Sequence, residues 1–114
     1  VRTALKAGIE NHLTEWGLAT EHVDSPRYIE DGYWMGPIWA PSTYQIVTGL
    51  DRCGFTELAD EVSEKFCRMS AKSGFPENFN ALTGEPLCCP AYTWTSSVYI
   101  LLAERMKKAD GVRP

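Results

Sequence analysis
The sequence predicts an all-α fold that forms one piece of a larger helical array. Three observations predict it. Four segments carry apolar residues at helical spacing. Two of these are amphipathic and two are apolar on most sides, so a four-helix unit cannot cover its own apolar surface. Two long, aromatic-rich connections alternate with one very short turn.

The first helix is expected from Val1 to Trp16, with Val1, Leu5, Ile9, Leu13 and Trp16 on one stripe and Gly17 ending it. The second runs from Pro41 to Cys53. Proline suits a first helical turn because its missing N–H would have no partner there, and Gly54 marks a tight turn. The third runs from Thr56, read as its N-cap, to Ser73, with Gly74 as C-cap. Leu58, Ala59, Val62, Phe66 and Met69 form its apolar stripe, and charged residues fill the other side. The fourth runs from Trp94 to Lys108. Its middle, Val98 to Ala103, is apolar all round, and its basic end suits a helix C-terminus.

Helices one and three therefore suit an outer layer, and two and four an inner one. If successive helices are antiparallel, the long connections Gly17–Ala40 and Gly74–Thr93 fall at the same end. Those connections hold Tyr28, Tyr33, Trp34 and Trp39 in the first, and Phe75, Glu77, Phe79 and Tyr92 in the second, which leads into Trp94. Aromatic rings offer platforms for the C–H faces of sugars, and neighbouring carboxylates can bond hydroxyls; the same rings also serve simply to pin long loops to a scaffold.

Composition excludes several classes. The 114 residues are 44% hydrophobic and 11% aromatic, as in an ordinary globular domain. A net charge of −4 without a clustered basic face argues against nucleic-acid binding. No apolar run approaches the roughly 20 residues of a membrane span. Cys53, Cys67, Cys88 and Cys89 show no CxxC spacing and have no histidine near them in sequence. That disfavours a metal site and favours reduced thiols in a cytoplasmic setting. The chain opens on Val1 rather than methionine, so the lack of a leader peptide carries no weight.

Three strings carry a resemblance. Tyr33-Trp34-Met35-Gly36-Pro37-Ile38-Trp39 resembles the YWRGPIW segment of bacterial proteins similar to the processing α-glucosidases of glycoside hydrolase family 63. Phe75-Pro76-Glu77-Asn78-Phe79-Asn80-Ala81-Leu82-Thr83-Gly84 resembles their aromatic-x-Glu-Asn loop. Tyr92-Thr93-Trp94-Thr95-Ser96 resembles the start of their last inner helix. The trehalases of family 37 share related patterns. The strings occur in the family's order and span most of the chain after Gly17.

The resemblance implies a six-hairpin (α/α)₆ toroid, of which residues 1–114 would be the C-terminal segment. It also implies hydrolysis of an oligosaccharide or disaccharide with inversion, without a cofactor. Glu77 falls on the general base. Tyr33, Trp34, Gly36, Pro37, Trp39, Phe75 and Trp94 fall on the walls of the sugar subsite.

Inverting hydrolysis needs one carboxyl group to protonate the leaving oxygen and another, roughly 6.5–9.5 Å away, to take a proton from water. The base must be ionised, with Asn78 and nearby backbone N–H groups as its expected donors. Two departures stand out. Met35 lies where the family usually has arginine, and no string here resembles the one that carries the family's acid. Asp24, Glu30, Asp31 and Glu85 are read as solvated or sugar-binding carboxylates. A non-catalytic carbohydrate-binding module and a helical interaction module are the alternatives. An isolated chain of this kind should expose an apolar patch and lack activity.

Overall fold
The computed structural model describes residues 1–112. In order it contains α1 (Arg2–His12), α2 (Ala40–Arg52), α3 (Thr56–Ser73), β1 (Asn78–Phe79), β2 (Pro86–Leu87) and α4 (Thr93–Val112). The four expected helices are present, with corrections at their ends. Helix α1 stops at His12 instead of Trp16. The Thr14 hydroxyl accepts hydrogen bonds from the N–H groups of Trp16 (3.1 Å) and Gly17 (3.3 Å), a local turn that competes with helix. Leu13 is already extended and pairs with Leu18. Trp16 thus leaves the helical stripe and lies against α3, with Arg68 5.0 Å and Lys72 4.7 Å from its ring. Thr56 is not the cap of α3; Phe55 holds that position and no side chain closes the turn. Helix α4 continues beyond Lys108.

Helices α2, α3 and α4 pack on one another. Their core is built from Val47 and Leu50 of α2, Val62, Phe66 and Met69 of α3, and Val98 and Leu102 of α4. Fully burying each such side chain stabilises the fold by about 1.5–3 kcal/mol. Helix α3, expected to be half solvated, buries the longest stripe because it packs against both α2 and α4. Helices α2 and α4 stay open on part of their surface. Ile100 is 60% exposed, turned away from Val98 and Leu102, and Tyr44 and Leu101 are exposed too. Arg105 joins the ends of these helices, donating two 3.0 Å hydrogen bonds to Asp51 and one of 2.8 Å to Asp60.

The all-α expectation needs one addition. Strands β1 and β2 form an antiparallel hairpin, with Asn78 opposite Leu87 and Phe79 opposite Pro86. On the other edge, Ile38 and Phe79 exchange backbone hydrogen bonds of 2.8 and 3.0 Å, and Ala19 bridges to Ile38 in turn. Two-residue strands are too short to leave a period in the sequence. These pairings nonetheless lock the two long connections together. Ile38 and Phe79 are fully buried, and Phe79 meets Phe66 edge-on at 5.8 Å.

Candidate active site
The first connection presents its aromatics through a strained turn. Backbone bonds from Gly32 to Ile29, Met35 to Gly32 and Ile29 to Met35 close the loop. Tyr33 adopts a left-handed backbone, φ 62°, which costs a non-glycine residue about 1–2 kcal/mol. Trp39 holds it there. The indole Nε1 donates to the Tyr33 carbonyl at 2.7 Å, and the two rings meet edge-to-face at 4.6 Å. Trp34 stacks on the same indole at 3.9 Å, with 11° between the planes. Trp39 is itself fully buried, whereas Tyr33 and Trp34 are 46% and 47% exposed.

Three of the expected wall residues are buried. Trp39 is covered by its neighbours. Gly36 and Pro37 are buried beneath the loop, where the Thr20 hydroxyl accepts from the Gly36 N–H and donates to the Pro37 carbonyl. A side chain at Gly36 would collide with the Ile29 carbonyl. The physical reason is close packing: a chain that buries Ile38 and Trp39 draws these neighbours in with them.

The second connection fixes Glu77 from its backbone. Its N–H donates to the Cys89 carbonyl at 2.9 Å. The preceding Pro76 carbonyl accepts a 2.6 Å hydrogen bond from the buried Thr95 hydroxyl of α4. Glu77 is 8% exposed, and its carboxylate accepts a 2.6 Å hydrogen bond at Oε1 from the Tyr33 phenol. That bond joins residues 44 positions apart. It pushes the phenol pKa up to about 12, first through the bond itself, then through burial and the charges of Glu77, Tyr92 and Cys88. Asn78, the expected donor, does not serve Glu77. Its amide oxygen and nitrogen are both buried and meet no hydrogen-bond partner among the described residues.

Trp94, 37% exposed at the start of α4, meets Trp39 edge-to-face at 5.7 Å and Tyr92 at 4.8 Å. Trp94 and Tyr92 border an open cleft of about 560 Å³ shared with Pro41 and Tyr44. Phe75 is half-buried and packs against Tyr99, 5.2 Å away, so it supports α4. Tyr33, Trp34, Trp39, Glu77 and Trp94 thus form one connected cluster, with Phe75 beside it. Among the loop acids, Glu85 pairs with Lys72 at 3.0 Å, and Asp24, Glu30 and Asp31 are exposed.

Sequence reasoning missed Thr20, Thr95, Cys88 and Cys89. Thr95 lay within a matched string. Thr20 carried no signal because its hydroxyl meets Gly36 and Pro37, far from it in sequence; the cysteine pair carried none because it enters through the backbone, Cys89 by its carbonyl and Cys88 by a φ of 62°.

This arrangement of helices with a loop-borne carboxylate belongs to a known class of fold. The crystal structure of the GH63 mannosylglycerate hydrolase from Thermus thermophilus in complex with glucose superposes with a TM-score of 0.80 at 22% identity, over 90% of this chain and 25% of that one. An uncharacterized conserved protein from the same organism superposes at 0.83 and 21% identity, over 89% of this chain and 26% of that one. The four helices are thus part of a six-hairpin helical toroid.

Residues 2–95 match the mannosylglycerate hydrolase MGH1-like glycoside hydrolase domain, and the chain belongs to that family. It is 31% identical over 68 residues to a mannosylglycerate hydrolase of Rubrobacter radiotolerans, covering 60% of this chain and 15% of that protein. It is 29% identical over 68 residues to a glucosylglycerate hydrolase of Mycolicibacterium hassiacum, with the same coverage of 60% and 15%. The chain therefore spans about 15% of the length of these curated relatives.

Proposed function
We propose that this chain supplies the general base and part of the sugar subsite of an inverting glycoside hydrolase acting on a short glucosyl or mannosyl glycoside. In this reading residues 1–114 form the C-terminal segment of its catalytic toroid. The observation that carries the reading is the junction of the two connections, where the nearly buried Glu77 accepts a hydrogen bond from Tyr33 and the partly exposed Trp34 and Trp94 both rest on Trp39. The names of the relatives, mannosylglycerate and glucosylglycerate hydrolases, support a one-sugar glycoside with a small acidic aglycone.

In this mechanism a water lies between Glu77 and the anomeric carbon. Glu77 takes its proton as the oxygen attacks from the face opposite the leaving group. The glycosidic C–O bond breaks with its electron pair on the leaving oxygen, which an acid elsewhere in the toroid protonates. Tyr33, Trp34 and Trp94 would line the sugar, with Gly36, Pro37, Trp39 and Phe75 holding them in place. Met35, 44% exposed beside Trp34, would alter the choice of glycoside at the position where the resembled family segment has arginine. A cytoplasmic setting fits the four free thiols, two of them exposed, and fractionation of the tagged protein would test it.

The decisive experiment uses the full-length protein and Glu77→Gln, which keeps the side chain's shape and removes its basicity. Turnover of mannosylglycerate and glucosylglycerate should fall by about 10²–10⁴-fold while binding survives. A glycosyl fluoride of the correct anomer should also be cleaved slowly by this variant, since its departure needs little acid but still needs the base. Unchanged turnover on every glycoside cleaved by the parent would remove Glu77 from the chemistry. On this reading, with the acid elsewhere in the toroid, the isolated chain should be inactive.

A further inference from the structure
The Tyr33–Glu77 hydrogen bond occupies one of the two carboxylate oxygens, and the other has no hydrogen bond among the described residues. Its 2.6 Å length lies in the range of a hydroxyl bonded to an ionised carboxylate. Both partners are held independently of each other. The Tyr33 carbonyl is bound by Trp39 and its ring edge rests on the indole. Glu77 is fixed by its N–H on Cys89 and by the Thr95 bond to the preceding carbonyl. The neighbouring Asn78 amide makes no competing bond among the described residues. Tyr92 and Cys88 are the other titratable groups that act on the phenol.

From this geometry we infer that Tyr33 is a positioning residue for the base: its phenol holds Oε1 of Glu77, fixes the carboxylate rotamer, and assigns proton uptake from the attacking water to Oε2. The inference rests on Glu77 being the base. During the step the water proton moves to Oε2 as the new C–O bond forms. The phenol proton remains on Tyr33 throughout, as its raised pKa of about 12 requires at neutral pH. The left-handed backbone at Tyr33 has a purpose in this light, since strain of this kind persists where the surroundings over-determine a functional geometry.

The test compares Tyr33→Phe with Glu77→Gln in the full-length protein, using mannosylglycerate and glucosylglycerate as substrates. Losing one charge-assisted hydrogen bond should lower kcat by about 10- to 100-fold. KM should change little. If Glu77→Gln collapses turnover while Tyr33→Phe leaves kcat in place, the positioning role is wrong and the base stands. An effect of Tyr33→Phe confined to KM would make the phenol a sugar contact only, and would also overturn the inference. If Glu77→Gln itself has no effect, the base reading falls instead. Should Tyr33→Phe fail to fold, ultraviolet titration of the phenol decides. In Glu77→Gln its pKa should fall from about 12 toward 10, and a phenol unmoved by that substitution would overturn the inference.

Discussion

Trp39→Phe should disable the site without removing any group that faces it. The indole does three things at once: it donates to the Tyr33 carbonyl, supports the Tyr33 ring, and stacks under Trp34. A phenyl ring retains part of the stacking and loses the donor. The bond to the carbonyl is part-buried, so water can replace it only partly, and its loss costs about 1 kcal/mol. The indole is fully buried, and replacing it with a smaller ring opens a gap that costs about 1–2 kcal/mol more. The sum is a destabilisation of about 2–3 kcal/mol, read by urea denaturation of the full-length protein. Near-ultraviolet circular dichroism should lose the signal of the stacked indole pair. Catalysis reports the same coupling: kcat should fall, and the double variant with Tyr33→Phe should lose much less than the product of the single effects. A change below about 0.5 kcal/mol, or rate effects that multiply independently, would refute the claim that Trp39 acts through Tyr33.

Thr95→Val keeps the shape of a fully buried side chain and deletes the hydroxyl that binds the Pro76 carbonyl. It should cost about 1–3 kcal/mol and lower kcat more than it raises KM; equal stability and rate in the variant would sink this account of how Glu77 is anchored. Gly84→Ala introduces a Cβ 2.7 Å from the Trp16 ring at a residue with φ of 71°. Denaturation should show a loss of about 1–3 kcal/mol with altered Trp16 fluorescence, and a neutral result would mean that the ring moves aside freely.

Much of the helical frame was legible because it rests on local rules. The spacing of Leu58, Val62, Phe66 and Met69 marks α3, Gly54 and Gly74 mark its flanks with positive φ values of 82° and 81°, and Pro41 marks the start of α2. Periodicity failed where a side chain could satisfy the backbone better than helix does, as Thr14 does at the end of α1. The strings around Trp34, Glu77 and Trp94 marked the candidate site by resemblance. The expectation that the two long connections share one end agrees with the bond between Tyr33 and Glu77.

What sequence alone determined, then, was the set of helices, the pair of aromatic connections and the carboxylate of interest. Tertiary structure decided which side chains face outward and which hold others in place. Trp39 and Trp34 are the same residue type in one short loop, yet one is fully buried and the other 47% exposed. The difference arises because Ile38 pairs with Phe79 across the two connections and draws Trp39 into the core with it. Likewise Tyr33, and not Asn78, became the donor to Glu77, although Asn78 is its neighbour in sequence. A bond across 44 positions leaves no local pattern, since its energy depends on a distance that exists only after the chain has closed on itself.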